Sequence, residues 1–190
     1  MRIGVFGGSF DPPQFGHVNA VKQVLAHTPV EEVWVMPCLE NEFKQPGTGA
    51  FERLEMARLA FAGIKGVRVS DFEVSHGIKT TAESLEALRQ GFPQHSFDWI
   101  VGSELVNQMP SWRGAKGFLE NTAVWVVPRT KAPALEKPFE VVECDEVSDA
   151  SSTLARKLLV EGRDARELVP TKVLDFIKRK RLYWVAEKRF

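Results

Sequence analysis

The chain has 190 residues, 25 Lys+Arg against 25 Asp+Glu, and 44% hydrophobic residues. This composition fits one globular domain with a proper core and excludes collagen-like, disordered and disulfide-scaffold classes. With no net charge the chain has no global attraction to nucleic acid or an anionic membrane, so any anion it binds must be caught locally.

In chain order, short β-branched runs alternate with longer stretches whose apolar residues fall three and four apart, the pattern of a parallel sheet covered by helices. The first predicted strand is Ile3 to Phe6 and the first helix Gly16 to Ala26. A strand at Val33 to Met36 leads into a polar loop, Cys38 to Gly49. A helix at Phe51 to Ala62 follows, with Phe51, Leu54, Ala57 and Phe61 on its predicted buried side and Gly63 as its stop. Val67 to Val69 is the next strand. Thr80 and Glu83 have the spacing of a reciprocal cap, which marks the start of a helix from Thr81 to Gln90. Strands at Trp99 to Val101 and Val124 to Val127 follow, apolar on both faces and therefore expected to be covered on both. Pro128 to Pro138 reads as an exposed connection. Helices at Ser152 to Val160 and from Pro170 to Lys178 complete a single α/β domain without internal repeats.

Cys38 and Cys144 are too few for a secreted framework or a metal knuckle and suit a reducing compartment. No apolar run approaches the ~20 residues that span a bilayer, and no basic stretch with an apolar core opens the chain. A cytoplasmic protein without membrane partners is expected. The Lys178-Arg179-Lys180-Arg181 run sits at a predicted helix C-terminus, where cations complement the dipole, so it is read as a solvated helix end and not as a nucleic-acid patch.

The segment richest in chemistry runs from Gly7 to His17 between the first strand and the first helix. Gly7 and Gly8 allow close approach of a ligand to the backbone, and the helix start offers unpaired N–H groups and a positive dipole end, together a phosphate site. Gly7 and Gly8 are equally compatible with a simple turn. Ser151-Ser152-Thr153, with Arg156 one turn on, forms a second cluster of hydroxyls, N–H groups and a guanidinium at a helix start. It fits both a plain N-cap and an anion cradle. Gly102-Ser103-Glu104 follows the fourth strand at the end where open α/β sheets bind ligands, and Glu104 also suits a first helical turn on dipole grounds.

Gly7-Gly8-Ser9-Phe10-Asp11-Pro12-Pro13-Gln14-Phe15-Gly16-His17 resembles the G-G-x-F-D-P-x-H-x-G-H signature of the nucleotidyltransferase superfamily. All its fixed letters are kept except the first His, replaced by Gln14. Ser151 to Arg156 resembles that superfamily's I-S-S-T-x-x-R motif, and Gly102-Ser103-Glu104 its G-x-D element with Glu for Asp. Pro110-Ser111-Trp112, Val126 to Arg129, Arg53 with Met56, and Leu168 to Pro170 through Leu182-Tyr183 extend the likeness to the nicotinate-nucleotide adenylyltransferase family.

The resemblance implies a doubly wound parallel sheet and adenylyl transfer from ATP, with Mg2+, to nicotinate mononucleotide, giving deamido-NAD and pyrophosphate. It implies Gly7, Gly8, Ser9, Phe10, Gly16, His17, Gly102, Glu104, Ser151, Ser152, Thr153 and Arg156 for ATP. His17, Gln14 and Arg156 are the expected catalytic groups, and Lys44, Thr81, Trp112 and Arg129 those for the acceptor. Trp112 offers a flat face for a pyridine ring and is equally compatible with a core position. Lys79 stands where the family's S-Y-T element has Ser, and either attracts the acid or is solvated. No protein metal cage is expected; the phosphates and water would hold Mg2+. Because Gln14 cannot carry a charge, slower catalysis is expected, and Gln14→His should raise kcat. The alternatives are another phosphorylated acceptor, or a nucleotide-binding relic that has lost turnover.

Overall fold

The computed structural model describes residues 1–40, 47–129, 138–145, 148 and 150–183. Its centre is a parallel sheet of β1 (Arg2–Gly8), β2 (Glu32–Pro37), β3 (Val67–Val69), β4 (Ser96–Gly102), β5 (Val124–Val127) and β6 (Phe139–Val141). The order across the sheet is β3-β2-β1-β4-β5-β6. This is the doubly wound order, which reverses between β1 and β4 and opens a crevice there at the strands' carboxyl ends. Val5 of β1 pairs with Trp34 on one side and Trp99 on the other, which puts β1 at the centre of the sheet.

The strands are apolar on both faces because both are covered. Ile3 and Val5, Trp34 and Met36, Phe97, Trp99 and Val101, and Val124 and Val126 point to one layer. That layer is built from α4 (Thr81–Gly91), a 3-10 helix (Ser103–Ser111) and α5 (Ala115–Leu119). The intervening residues Phe6, Val33, Val35, Ile100, Trp125 and Val127 point to the other, against α1 (Phe15–His27) and Phe61 of α2 (Ala50–Phe61). The strict alternation follows from the two-residue period of a strand. A third cluster joins α6 (Ser152–Val160) and α7 (Thr171–Lys180) to α2 through Met56, Ala155, Val173 and Ile177.

Every predicted strand and helix is present, with ends displaced by at most a few residues. Sequence reading missed β6, the 3-10 helix, α5 and the short α3 (Phe72–His76). It also placed Gly7 and Gly8 after the first strand, whereas they are its last two residues. Phe51 is not on the buried side of α2: it is 72% exposed, and the buried face carries Arg53, Leu54, Met56, Ala57 and Phe61. Pro170 precedes α7 as its N-cap residue, one position earlier than expected. Most of the predicted exposed connection lies outside the described residues.

Candidate active site

A cavity of 420 Å³ opens at the carboxyl ends of β1, β4 and β5. Its walls bring together Gly7, Gly8, Ser9, Phe10, Gly16, His17, Gly102, Glu104, Ser151, Ser152, Thr153 and Arg156. Two residues far apart in sequence, Gly8 and Arg156, thus share one concave surface. Gly7 is required for a packing reason: a Cβ there would lie 2.6 Å from the Trp99 ring. Overpacking of that kind costs about 1–3 kcal/mol. At Gly102 a Cβ would collide with the Glu104 carboxylate, which folds back over it.

The floor of the cavity is made by rings. Phe10 is buried at a φ of 48°, in the left-handed region that non-glycine residues seldom occupy. Edge contacts hold it there, with ring centroids 5.0 Å from His17, 5.5 Å from Phe6 and 6.0 Å from Phe61. Its part is to support His17 from beneath.

His17 sits in the first turn of α1, where its Nδ1 accepts a 3.1 Å hydrogen bond from the Gln14 backbone N–H. That bond puts the neutral ring's proton on Nε2, the nitrogen left to serve the cavity. Burial, reinforced by the nearby Arg129 charge, holds the His17 pKa down at about 3. The free site therefore presents a neutral donor, not an imidazolium.

Gln14 is not where the motif suggested. Its side chain is fully buried and does not line the cavity. The amide oxygen accepts from the Gly16 N–H and caps α1, and the amide nitrogen donates to the Ala150 carbonyl at 2.8 Å. Those bonds are spent on the backbone, so Gln14 pins the segment before α6 to the start of α1. Gln14 was expected among the catalytic groups; in this placement its amide touches the backbone and not the cavity.

Asp11 ties the site together. It is 3% exposed, and its carboxylate accepts from the Gly47 N–H at 2.6 Å, the Thr48 hydroxyl at 2.7 Å and the Tyr183 hydroxyl at 2.6 Å. Burial and the Asp11 carboxylate raise the Tyr183 pKa, so the phenol stays protonated as a donor. Arg156 donates to the Asp11 backbone carbonyl and to Thr153 Oγ1 at 3.2 Å, and lies 3.8 Å from the Asp11 carboxylate. Ser152 Oγ donates to the Pro12 carbonyl at 2.9 Å, and Ser151 caps α6. The cap is present at Ser151, and the same helix start lines the cavity.

Arg129 was expected with the acceptor residues. It lines this larger cavity instead, pairing with Glu104 at 3.1 Å and donating to the Ala150 carbonyl at 3.1 Å. Glu104, expected with ATP, carries that ion pair. Arg53, fully buried on α2, donates to the Ser9 and Leu39 carbonyls, each at 3.0 Å, and so clamps the loops after β1 and β2.

A second cavity of 350 Å³ lies alongside, lined among others by Thr81, Lys79, Arg113, Glu40, Cys38 and Glu73. Gly7, Gly8, Trp99, Leu105 and Trp112 belong to both cavities, so the two meet over the end of β1. Trp112 is half-buried, lining both cavities while it packs on the core. Lys79 pairs with Glu40 at 2.9 Å in an exposed position. Lys44 lies outside the described residues. Glu73, a 5% exposed carboxyl in this wall, was missed by sequence reading, as a lone acidic residue in a five-residue helix gives no pattern. Among the described residues no group of three His, Cys, Asp or Glu side chains converges to hold a metal ion, and no helix is long and apolar enough to cross a membrane.

Comparison with known proteins agrees with this geometry. A family model described as cytidylyltransferase-like matches residues 5–158. A probable nicotinate-nucleotide adenylyltransferase of Shouchella clausii is 31% identical, over 96% of both chains. One from Anaeromyxobacter sp. (strain K) is 34% identical over the same shares. In structure, the nicotinic acid mononucleotide adenylyltransferase of Plasmodium falciparum complexed with NaAD superposes with a TM-score of 0.83 at 22% identity, covering 96% of this chain and 97% of that one. That last likeness speaks for the fold. On the family model and the full-length relatives together, the chain belongs to the cytidylyltransferase-like family, among its nicotinate-nucleotide adenylyltransferases.

Proposed function

We propose that the protein transfers the adenylyl group of ATP to nicotinate mononucleotide, releasing pyrophosphate and forming the deamido dinucleotide. The observation that carries this reading is the meeting of two cavities over Gly7 and Gly8, one rich in anion donors and the other holding Thr81 beside Trp112. Two substrates in adjoining pockets can react where the pockets join, and holding them there removes much of the entropic barrier.

In this reading an oxygen of the acceptor phosphate attacks the α-phosphorus of ATP. The bond from that phosphorus to the bridging β-oxygen breaks, and its electrons leave with pyrophosphate. No protein nucleophile takes part. His17 donates its Nε2 proton as a hydrogen bond to an α-phosphate oxygen as charge builds there, and the first turn of α6 with Arg156 receives the leaving pyrophosphate. Arg129 adds positive charge from the far wall, and Glu104 keeps enough exposure to accept from a ribose hydroxyl. ATP enters as its Mg2+ complex, the ion being held by the phosphates and water, in keeping with a cavity whose Asp11 and Glu104 carboxylates already have protein partners. The two free thiols, Cys38 and Cys144, suit a reducing cytoplasm.

The Gln14 amide bonds the backbone and does not line the cavity, so in this reading phosphate contacts fall to His17, Arg129, Arg156 and the first turn of α6. The deciding experiment is pyrophosphate release with Mg2+-ATP and a panel of phosphorylated acceptors. Turnover led by nicotinate mononucleotide is expected. Release only with a different acceptor would move the assignment to that acceptor, and none with any would end the enzyme reading.

A further inference from the structure

We infer that Glu73 sets the choice between acid and amide acceptors: its carboxyl, facing the second cavity, accommodates a ring carboxylate when protonated and a ring carboxamide when ionised. This rests on the reading of that cavity as the acceptor pocket. The carboxyl lines the cavity with Thr81 and Trp112 and is 5% exposed. Its Oε1 accepts from the buried Ser84 hydroxyl at 2.6 Å, which fixes the group in place. Among the described residues its second oxygen has no protein donor, so the group keeps hydrogen-bonding capacity toward the cavity.

A carboxyl of this kind has two chemical personalities. Protonated, it donates one hydrogen bond and adds no charge, so it can sit beside an anionic ring substituent. Ionised, it only accepts, repelling a carboxylate and suiting the N–H groups of a carboxamide. Burial lifts the Glu73 pKa to about 7, against the opposing pull of the Ser84 hydrogen bond and the Arg53 guanidinium. Both forms are thus accessible near neutrality.

The groups around it decide whether the switch belongs to Glu73. From α2 it faces the buried Arg53, whose guanidinium favours the ionised carboxyl. From the segment after β2 it faces Cys38, whose thiol is pushed up by burial and stays neutral near pH 7. Ser84 approaches from α4, and Lys79, Glu40 and Arg113 stand elsewhere in the cavity wall. Glu73 is the buried carboxyl of this wall.

The test is calorimetric binding of nicotinate mononucleotide and of its amide to the whole protein between pH 6 and 8.5, with Glu73→Gln and Ser84→Ala alongside. In the parent the dissociation constant for the acid should rise by roughly tenfold per pH unit once the pH passes about 7. That for the amide should stay level or fall. Glu73→Gln should make acid binding independent of pH over this range. Ser84→Ala, which removes a hydrogen bond that favours the ionised form, should move the inflection to higher pH. Acid affinity in the parent that does not change with pH, or a dependence that survives in Glu73→Gln, would overturn the role of Glu73 and leave the adenylyltransferase reading standing. Binding of neither mononucleotide would overturn both.

Discussion

On the nucleotide side of Gly7 and Gly8 the charged groups are already committed. Arg156 is tied to Asp11, Arg129 to Glu104, and His17 to the Gln14 backbone, so the cavity is shaped before ATP arrives. On the proposed acceptor side the Lys79 ammonium pairs with an exposed Glu40, and Glu73 keeps one oxygen without a protein donor among the described residues. On the proposed assignment of the two cavities, the difference locates the chain's selectivity on the acceptor side. A rigid site suits a triphosphate that is always the same, because preorganised donors need no rearrangement as charge develops. A loosely held and titratable wall suits a choice between two similar rings.

The sharpest way to break the contrast is to disturb the committed side. Arg156→Lys keeps the charge but replaces a planar fork with a point ammonium, which cannot hold the Asp11 carbonyl and Thr153 together. We expect kcat/KM for ATP to fall by roughly thirtyfold to a hundredfold, as is typical when a preorganised donor is lost. Unchanged ATP kinetics in the Lys variant would show Arg156 to be structural only.

His17→Ala is expected to lose about tenfold in rate with little change in fold, the loss of one transition-state hydrogen bond. It carries a second, independent readout. An unfolded His titrates near 6.5 whereas His17 in the fold titrates near 3, so in that window the unfolded chain binds more protons. The stability this contributes is therefore present above about pH 6.5 and is lost as the pH falls toward 3. Urea denaturation at pH 7 and pH 5 should show the parent losing about 1–2 kcal/mol more than the variant. Equal losses would place the His17 pKa near its ordinary value.

On the open side, Lys79→Ala should raise KM for the acid mononucleotide by roughly threefold and leave KM for ATP alone, the scale of an exposed ion pair. An effect on ATP instead would erase the proposed division of labour. The smallest effect is expected from Gln14→His. A ring can accept at one nitrogen and donate at the other, reproducing the bonds to Gly16 and Ala150, so kcat should change by less than about twofold. A gain of fivefold or more in pyrophosphate release would return this position to the phosphate.

The sheet was legible because its strands are short, β-branched and apolar on both faces, a pattern few other structures produce. β6 escaped because Phe139–Val141 is a short edge strand of half-buried residues beside the Pro-rich connection. The phase of α2 was misread because its inward face includes an arginine: Arg53 is buried through hydrogen bonds to carbonyls, which no hydrophobic period reveals. The motifs located the candidate site well, since helix starts and strand ends meet at the crevice once the sheet order is set. What they could not give was direction. Gln14 has the right chemistry for a phosphate but faces Ala150, 136 positions away, and only the folded chain brings the two together.

The Asp11 hub also bears on how the protein is made. Its carboxylate receives the hydroxyl of Tyr183, a partner 172 positions later. Chains fold as they are synthesised, at about 5–20 residues per second. Asp11 therefore leaves the ribosome well before Tyr183, which completes its hydrogen bonding, is synthesised. The Asp11 hub is complete only once α7 packs on α2 and Tyr183 comes within reach. Long-range closure of this kind slows folding, but it also means that a chain released early lacks the bond joining its two ends at Asp11.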